Sequence, residues 1–466
     1  MNSAFLIPAS ILDQLRAIVG PQGYLDAPED IEPFLTDHRK QLRGNSPLVL
    51  RPASTAEVSR LLKVCNSSRI GVVPVGGNTG YCGGATPSND GSQIVLSLSR
   101  MKTIRNVDAM NNTITVEAGC LLADVQQAAT GAERLFPLSL GSEGSCQIGG
   151  NLSTNAGGTA VLRYGMTRDL VLGVEAVLAD GRVLNDLNVL RKNNMGYDLR
   201  NLFIGAEGTL GVITAASLKL FPQPRTFVTT LIAVRDPQAA VDLLSVMRAA
   251  SSDALITFEL MPRIAIDLVL KHIPGVDDPL AVAYPWYVLL EATSAQMDTH
   301  LESQITTTLA DVQSRGSILD AAVATNESQR ELLWRIRETI PEAQRRAGGS
   351  IKHDISVAIS DLPRFIDAGT QICKHIAPEG RLVVYGHLGD GSLHFNINTP
   401  AAASDLERKT FMNKADGLHR AMHDLHPEVA NLDARYDFAT GPKLPTAQRF
   451  DVIIDLHRLR QFYTDN

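Results

Sequence analysis

Cysteine is scarce in this chain and follows no recognisable pattern. There are five cysteines among 466 residues, and none belongs to a C-x-x-C pair. An odd number without such pairs argues against both a disulfide framework and a zinc knuckle. We therefore expect a protein of a reducing compartment.

Long apolar runs and stretches of one charge are also missing. No apolar stretch approaches the roughly 20 residues of a membrane-spanning helix, and the N-terminal residues lack the cationic start and apolar run of a signal peptide. Forty-three basic residues against 50 acidic ones give a net charge of −7 without a basic cluster, which disfavours a nucleic-acid partner. These features predict a location in the bacterial cytoplasm.

Neither of the usual nucleotide-binding motifs is present. No glycine-rich loop continues into the Gly-Lys-Ser/Thr of a P-loop, and no G-x-G-x-x-G lies at a strand-to-helix turn. Instead, PVGGNTG at residues 74–80 and GSEGSCQIGGNLSTNAGG at residues 141–158 are dense in glycine and interrupted by Ser, Thr and Asn. Glycine permits positive φ and lets backbone N–H groups approach a ligand as an anion nest. The two loops predict a site for a large phosphate-bearing cofactor.

The distribution of strand and helix patterns indicates two α+β domains. Segments rich in Val, Ile and Thr follow the first loop, with Gly or Asn/Asp turns between them. After residue 223, strands and helices alternate with wide spacing, as in a ferredoxin-like domain, and RLVVYGHLGDGSLHFNINTP indicates a β-hairpin with its turn at LGDGS. The expected regions are a helical segment (1–45), a cofactor domain (46–223), a substrate domain (224–415) and a helical C-terminal segment (416–466).

Several blocks occur in an order that resembles one enzyme family. PVGGNTG, GGNLSTNAGG, RYGMTRDLVLGVEAVLADG, DLRNLFIGAEGTLGVIT and YGHLGDGSLHFN are similar to segments of the flavin-dependent D-2-hydroxyacid dehydrogenases of the vanillyl-alcohol-oxidase superfamily. That family includes D-2-hydroxyglutarate and D-lactate dehydrogenases. The resemblance covers residues 20–398 and implies a PCMH-type FAD-binding domain, followed by a substrate (cap) domain that carries a metal-binding hairpin.

The resemblance also implies an FAD molecule extended along the two glycine loops. The first loop is expected to hold the pyrophosphate, and the second to run beside the ribityl chain and isoalloxazine ring, whose polar atoms suit hydroxyl and amide side chains. A returning segment at residues 205–213 is expected at the adenine side, although Val212 and Ile213 equally fit a core strand. A single such loop is more often just a turn, but paired loops favour the cofactor. The implied FAD-binding residues are Pro74, Gly76, Gly77, Asn78, Thr79, Gly80, Ser142, Ser145, Gly149, Gly150, Asn151, Thr154, Asn155, Gly157, Glu207, Gly208, Gly211, Val212 and Ile213.

The flavin is expected to be bound without a covalent link. Related covalent flavoproteins carry a histidine in the first loop or a cysteine in the second. The first loop of this chain has no histidine, and the second contains Cys146. We interpret Cys146 as a small buried residue, which is a common role of cysteine.

Two histidines flank the tip of the expected hairpin. Oxidation of a 2-hydroxyacid moves a hydride to flavin N5 while a base removes the hydroxyl proton, and a Lewis acid helps because the hydroxyl pKa is high. His387 and His394, with Asn396 as a further candidate, resemble the family's ligands of a divalent metal. Strand alternation puts His394 and Asn396 on one face. Two imidazoles and an oxygen donor suit Zn²⁺, Mn²⁺ or Co²⁺, whereas the alternative for each histidine is a structural role.

Two cationic residues upstream match family positions that bind the substrate carboxylate. Arg337 offers a planar guanidinium that can clamp a carboxylate, and Lys352 adds a point charge. Arg337 has no acidic residue four positions away on either side, so an ion pair on the helix surface is not expected. Arg335, with Glu331 and Glu338 nearby, is assigned to the solvated side. For Lys352, plain exposure is an equal alternative.

The C-terminal part departs from the family pattern. The family normally has a Ser-Ala-Glu-His-Gly block, whose Glu completes the metal site and whose His is the base, and later an Asn-Pro-Gly-Lys segment. This chain instead reads DLHPEVANLDARYDFATGPKLP from residue 424. Glu428, Asp433 or His426 would have to replace the missing groups.

Two hypotheses follow. The first is an FAD-dependent dehydrogenase of CH–OH donors that oxidises a D-2-hydroxyacid to the 2-oxoacid. The second is a flavin-binding protein or subunit with impaired hydroxyacid oxidation. The matching Arg337, Lys352, His387 and His394 favour the first hypothesis, and the missing block favours the second.

Substrate and acceptor remain open at this point. Two cationic residues suit a dicarboxylate such as 2-hydroxyglutarate, whereas lactate needs only one. No nicotinamide motif is present, so the resemblance implies a quinone, an electron-transfer flavoprotein or a cytochrome as electron acceptor. A homodimer is left open as well.

Overall fold

Two compact units make up the structure, which is a computed structural model. The described residues are 7–297, 299–425, 436–437 and 441–442. We call residues 7–158 and 164–223 the N-terminal unit, and residues 159–163 with the described residues between 224 and 442 the C-terminal unit. Among these residues, no helix combines the length and the apolar character needed to cross a membrane.

The chain up to residue 223 alternates short helices with short strands. Its elements are α1 (Ala9–Val19), β1 (Tyr24–Leu25), α2 (Pro28–Ile31), β2 (Val49–Leu50), α3 (Thr55–Ser67), β3 (Gly71–Val75), β4 (Gln93–Ser97), β5 (Ile104–Asp108), β6 (Thr113–Glu117), α4 (Leu122–Gly131), β7 (Arg134–Leu135), α5 (Ile148–Ser153), α6 (Val161–Tyr164), β8 (Val171–Val177), β9 (Val183–Asp186), α7 (Arg200–Phe203), β10 (Val212–Lys219) and β11 (Phe221–Pro222).

Two larger sheets form the framework of the N-terminal unit. One has the order β1-β2-β4-β3, with β2, β4 and β3 parallel, and the other is antiparallel with the order β5-β6-β10-β8-β9. The helix α3 begins after Ser54, whose Oγ accepts a hydrogen bond from the backbone N–H of Glu57 at 3.2 Å, as an N-cap does. The predicted strand–helix–strand unit is confirmed, and β3 leads directly into the first glycine loop.

The helical prediction for residues 1–45 holds only in part. α1 begins directly after Pro8 as expected, but residues 20–45 contain just the four-residue α2, a 3₁₀ turn and the strand β1. Gly20 ends α1 in a positive-φ conformation (φ 67°), and the following Pro21 and Gly23 do not favour a helix. Of the predicted C-terminal helical segment (416–466), most lies outside the described residues.

The C-terminal unit has longer strands and helices. Its elements are β12 (Thr226–Val234), α8 (Pro237–Ala250), β13 (Leu255–Pro262), α9 (Arg263–His272), β14 (Trp286–Ser294), α10 (Thr299–Ser314), β15 (Asp320–Val323), α11 (Glu327–Glu338), α12 (Ile340–Arg346), β16 (Ser350–Ile351), β17 (Asp354–Ser356), α13 (Leu362–Ile376), β18 (Arg381–His387), β19 (Ser392–Asn398), α14 (Asp405–Met412), α15 (Ala415–Asp424), β20 (Tyr436–Asp437) and β21 (Gly441–Pro442).

A ferredoxin-like arrangement is present at one end of the large sheet. The sheet order is β15-β12-β14-β13-β18-β19-β16, and all its pairings are antiparallel. With α8 and α10 as connections, β12, β13, β14 and β15 follow the β-α-β-β-α-β order of that fold. The predicted hairpin is also confirmed, because β18 and β19 pair through a short turn at residues 388–391. The fold is therefore α+β, as predicted.

Apolar side chains cover both faces of this sheet. Ile232, Leu290 and Val384 belong to one buried cluster, which includes residues of α8, α10 and α13. Leu289 and Tyr385 belong to the other, which includes residues of α9, α11 and α12. Alternation along the strands separates the two sets, so a polar side chain in a strand is buried beneath helices on one face or the other.

Candidate active site

The two glycine loops of the N-terminal unit contact each other through their backbones. A Cβ atom on Gly77 would lie 2.0 Å from the carbonyl oxygen of Ser145, which is too close for any side chain. Gly76 faces Gln147 and Gly150 at 3.6 Å by the same measure. The sequence thus requires glycine where one loop crosses the other.

The third predicted segment joins the same assembly. The backbone N–H of Glu207 donates to the carbonyl of Ser153 at 2.8 Å. Gly208 has a φ of +77°, and a Cβ there would lie 2.9 Å from Pro74 Cγ. All three predicted FAD-binding segments are therefore adjacent in the structure, which sequence order alone did not establish.

Several polar side chains of these loops form hydrogen bonds with other groups of the protein. Asn78 (φ 50°) donates from Nδ2 to the carbonyl of Thr36 at 2.9 Å. Asn155 (φ 48°) accepts at Oδ1 from the N–H of Arg168 at 2.9 Å. The Asn155 oxygen thus helps to fix the loop, and its contact with the flavin stays a prediction. Thr154 Oγ1 donates within its own helix to the carbonyl of Gly150.

Two buried amides nearby have no hydrogen-bond partner among the described residues. These are Nδ2 of Asn151 and Oε1 of Gln147, on side chains that are 4% and 9% exposed. Close by, a Cβ on Gly150 would meet no atom within 4 Å. Buried polar atoms are almost always paired in native proteins, so this donor and acceptor beside open glycine backbone fit a polar cofactor such as FAD. Gln147 was missed in the sequence because it lies among apolar neighbours.

Other predicted residues pack into the protein. Val212 and Ile213 lie in β10 with their side chains in two different apolar clusters, so the core-strand alternative describes their side chains. The N–H of Gly149 donates to the carbonyl of Ala118 at 2.7 Å. Cys146 is 2% exposed within the apolar core, which confirms that it is a small buried residue.

The remaining predicted residues lie along the surface of the loops. The backbone carbonyl of Ser142 accepts hydrogen bonds from the N–H groups of Ser145 and Cys146, which closes a turn. Gly80 and Gly157 are exposed, and Thr79 is partly buried. Gly211 is fixed by close packing, since a Cβ there would lie 2.7 Å from the carbonyl oxygen of Val177.

In the C-terminal unit, a buried carboxylate joins two of the predicted residues. Glu259 in β13 is 1% exposed. Its Oε2 accepts from Nε of Arg337 in α11 at 2.6 Å, and its Oε1 lies 2.5 Å from Nδ1 of His387 in β18. Arg337 is thus buried and ion-paired, but with a residue 78 positions away that helix spacing does not reveal. Glu259 was missed, although a Glu within the apolar run LITFELMP was a usable clue.

This cluster shifts the pKa values of its members. Burial raises the pKa of Glu259, but the charges and hydrogen bonds of Arg337 and His387 outweigh it, so that the pKa lies well below its ordinary range. Burial lowers the pKa of His387, and the Glu259 carboxylate more than reverses this, so that the pKa is raised. Glu259 is therefore an ionised acceptor at neutral pH.

The second predicted histidine lies beside the first. The rings of His387 and His394 are 5.6 Å apart between centroids. Nδ1 of His394 lies 2.6 Å from Oδ1 of Asp354, its register partner on β17. Tyr385 lies between the groups, 4.9 Å from the His394 ring and 4.9 Å below the Arg337 guanidinium. Each histidine thus has a carboxylate on Nδ1, a pairing that is also common among metal-binding histidines.

Asn396, two residues after His394, belongs to a chain of buried amides. Its Nδ2 donates to Oε1 of Gln344. The Nε2 of Gln344 donates to Oδ1 of Asn398. The Nδ2 of Asn398 donates to the backbone carbonyl of Gln344. The Oδ1 of Asn396 is buried and accepts no hydrogen bond from the described residues. An amide oxygen without a donor is a suitable ligand for a cation.

Two further cationic residues, Lys352 and Arg335, are exposed. Lys352 is exposed between β16 and β17, the two edge strands that pair with β19. Arg335 is exposed as predicted. It donates from Nη2 to the carbonyl of Pro274 at 2.8 Å, because the side chain extends toward the loop after α9 rather than along its own helix.

The described residues contain no group of three or more His, Cys, Asp and Glu side chains arranged to hold a metal ion. They offer the imidazoles of His387 and His394 and the amide oxygen of Asn396. Glu428, Asp433 and His426, the predicted replacements for the missing family block, lie outside the described residues.

Comparison with known proteins places these features in a family. Residues 46–186 match the model of an FAD binding domain, and residues 223–425 match that of the FAD linked oxidases, C-terminal domain. A probable mitochondrial D-2-hydroxyglutarate dehydrogenase of Oryza sativa subsp. indica is 38% identical over 383 residues, covering 82% of this chain and 67% of the relative. The mitochondrial D-2-hydroxyglutarate dehydrogenase of Bos taurus is 39% identical over 405 residues, covering 86% and 73%. The chain belongs to the FAD-dependent D-2-hydroxyacid dehydrogenases.

As a member of this family, the chain is a flavoprotein oxidoreductase with FAD as its cofactor. A solved alkyldihydroxyacetonephosphate synthase has the same fold, with a TM-score of 0.72 at 17% identity over 90% of this chain and 80% of that one. The predicted PCMH-type FAD-binding fold is confirmed.

The predicted cytoplasmic location of this D-2-hydroxyacid dehydrogenase is wrong. The relatives from Oryza sativa and Bos taurus are both mitochondrial proteins. The prediction relied on an N-terminal segment without a signal-peptide pattern and on cysteine usage, and a reducing compartment is not the only one in which unpaired cysteines persist.

Proposed function

We propose that this chain oxidises a D-2-hydroxy dicarboxylic acid of the D-2-hydroxyglutarate type to the 2-oxoacid. The single observation that supports this most is the linkage of Arg337, the proposed carboxylate-binding side chain, to His387, a proposed metal ligand, through Glu259. When bound, FAD supplies the acceptor of the substrate's α-hydride. The names of the relatives from Oryza sativa and Bos taurus favour the same substrate.

Arg337 is assigned to the substrate carboxylate. Its Nε is occupied by Glu259, and we find no further hydrogen bond from its guanidinium to the described residues. The two terminal nitrogens can then donate in parallel to a carboxylate. The ring of Tyr385 below the guanidinium holds its plane by a cation–π contact. Lys352 is assigned to the second carboxylate of the dicarboxylic substrate.

His387 and His394 are assigned to a divalent metal, with Asn396 as a third donor. Nitrogen ligands of this kind suit Zn²⁺, Mn²⁺ or Co²⁺. When bound, such a metal would act as a Lewis acid that lowers the pKa of the substrate hydroxyl. Glu259 and Asp354 hold the Nδ1 atoms, so the two imidazoles stay oriented whether or not the metal is bound.

The flavin is assigned to the glycine loops without a covalent bond. Cys146 is buried in the apolar core, and the amides of Gln147 and Asn151 supply an acceptor and a donor. The acceptor of the flavin electrons is proposed to be a quinone, an electron-transfer flavoprotein or a cytochrome.

A flavin-binding protein with impaired hydroxyacid oxidation is the second candidate. The observation in its favour is that the described residues provide only two imidazoles and an amide for the metal. Anaerobic addition of D-2-hydroxyglutarate, or of D-lactate, with and without EDTA, separates the candidates. Bleaching of the flavin absorbance by D-2-hydroxyglutarate, abolished by EDTA, is expected. No bleaching with any D-2-hydroxyacid would favour the second candidate, and EDTA-insensitive bleaching would remove the metal from the mechanism.

A further inference from the structure

We propose that Glu259 is the positioning residue of this site, a single carboxylate that orients both His387 for the metal and Arg337 for the substrate. The inference rests on the proposed function, because it concerns the residues assigned there. Without Glu259, we expect the His387 imidazole and the Arg337 guanidinium to lose their fixed orientation.

The position of Glu259 brings a strand and a helix to the same carboxylate. It lies in the middle of β13, and its Cα is the register partner of His387 on β18. Its side chain is on the face covered by α11, from which Arg337 reaches it. The carboxylate therefore lies between a strand and a helix, with one oxygen used on each side.

The chemistry of an ionised carboxylate explains both orientations. It only accepts hydrogen bonds, so Nδ1 of His387 must carry a proton toward Oε1, and a neutral His387 then presents Nε2 as a bare ligand atom. Oε2 takes Nε of Arg337, which directs the two terminal nitrogens of the guanidinium fork away from Glu259. Removing one oxygen acceptor must disturb one of these two arrangements.

A matched control lies on the neighbouring strand. Glu291 in β14 is also 1% exposed and accepts from Arg330 Nε and Trp334 Nε1 of α11, each at 2.8 Å. It anchors the same helix to the same sheet. None of its hydrogen-bond partners is a residue assigned to metal or substrate.

The test is Glu259→Gln beside Glu291→Gln, each in the flavin-loaded full-length protein after metal removal. A glutamine of the same shape has one oxygen and one NH₂ group. Because the guanidinium of Arg337 can only donate, the oxygen should stay with Arg337 and the NH₂ group should face Nδ1 of His387, while the hydrogen bond to Arg337 weakens without the negative charge. Zn²⁺ titration by calorimetry should show about 10- to 100-fold weaker binding for Glu259→Gln and unchanged binding for Glu291→Gln. The KM for D-2-hydroxyglutarate should also rise in Glu259→Gln, while both variants retain full flavin content.

Three other results would overturn the inference. If both variants lose Zn²⁺ affinity equally, Glu259 acts only by anchoring α11. If the wild type binds Zn²⁺ and Glu259→Gln binds it equally well, the inference fails while the proposed function stands. If the wild type binds no Zn²⁺, the metal role in the proposed function fails and the inference fails with it.

Discussion

The N-terminal unit has its predicted flavin region built from backbone and neutral amides, whereas the proposed substrate region of the C-terminal unit has charged side chains that are held in pairs. In the first, Gly77 lies against Ser145, and Oε1 of Gln147 and Nδ2 of Asn151 are buried without a hydrogen-bond partner among the described residues. In the second, Glu259 and Asp354 each hold a histidine. A glycine loop can follow the shape of a large cofactor, because its N–H groups are close to one another in the chain. A charged group must instead be fixed by a partner from another element, since an unpaired buried charge is costly.

The largest effect is expected from Arg337→Ala. Truncating one member of a buried charge pair costs about 2–5 kcal/mol, which corresponds to a loss of about thirtyfold or more in kcat/KM for D-2-hydroxyglutarate. Flavin content should be unchanged if the two regions bind different ligands, and stopped-flow flavin reduction together with the 450 nm absorbance measures both. Arg335→Ala on the same helix is the control, because among the described residues its exposed side chain donates to two loop carbonyls. Loss of flavin in Arg337→Ala would break the comparison.

A smaller effect in the other region is expected from Gly77→Ala. The added methyl would collide with the Ser145 carbonyl, and overpacking of this kind costs about 1–3 kcal/mol. FAD should bind about tenfold to a hundredfold more weakly, as measured by the flavin-to-protein absorbance ratio and by FAD titration of the apoprotein. Gly131→Ala at the end of α4, where no atom lies within 4 Å of an added Cβ, should retain normal FAD binding. Full flavin content in Gly77→Ala would contradict the crossing of the two loops.

Asp354→Asn tests whether burial matters within the charged region. Asp354 holds His394 as Glu259 holds His387, but its side chain is 67% exposed against 1% for Glu259. Water can replace an exposed partner, so we expect a loss of Zn²⁺ affinity of about tenfold at most. Zn²⁺ calorimetry on the metal-free flavoprotein gives the value. A loss greater than that of Glu259→Gln would show that the exposed histidine dominates the site.

The smallest effect concerns a charge pair in the N-terminal unit that lies outside the glycine loops. Burial raises the pKa of Glu175. Hydrogen bonds from Thr55 and Thr214 and the charge of Arg105 outweigh this effect, so that the pKa is lowered overall. This carboxylate stabilises the fold fully above its unfolded pKa, and the contribution is lost as pH falls through the folded pKa. Glu175→Gln should lower the free energy of unfolding by about 1 kcal/mol at pH 7. In urea unfolding, the decrease of this free energy below pH 4.5 should be less steep in the variant than in the wild type. An equal pH dependence of the free energy of unfolding in both proteins below pH 4.5 would contradict this.

The N-terminal loops were predictable because their chemistry is local. Positive φ, close backbone approach and N–H donors are all encoded by a few consecutive residues, and PVGGNTG contains them without reference to the rest of the chain. Even there, the hydrogen bond from the Arg168 N–H to the Asn155 oxygen was not predicted, because local sequence does not show which partner an amide takes. The β18–β19 hairpin was predictable for the same reason, since its turn and alternation lie in one continuous segment.

The charged region was only partly predictable. Family resemblance indicated Arg337, His387 and His394, but their partners come from positions as far away as Glu259, and register across three strands decides the contacts. Helix spacing correctly placed Arg335 and Arg337 on different sides of α11 yet could not identify what each one bonds. Pairing between distant elements depends on the assembled sheet, so no pattern within α11 contains it.

The amide chain beneath His394 has a fixed direction. It starts at the Gln344 backbone carbonyl, which cannot donate and therefore determines which way the Asn398 amide is turned. That orientation sets the Gln344 side chain, which in turn sets Asn396. The oxygen of Asn396 at the far end is thus an obligatory acceptor. A polar partner of this oxygen must therefore be a cation or a hydrogen-bond donor, and an ionised carboxylate cannot be that partner.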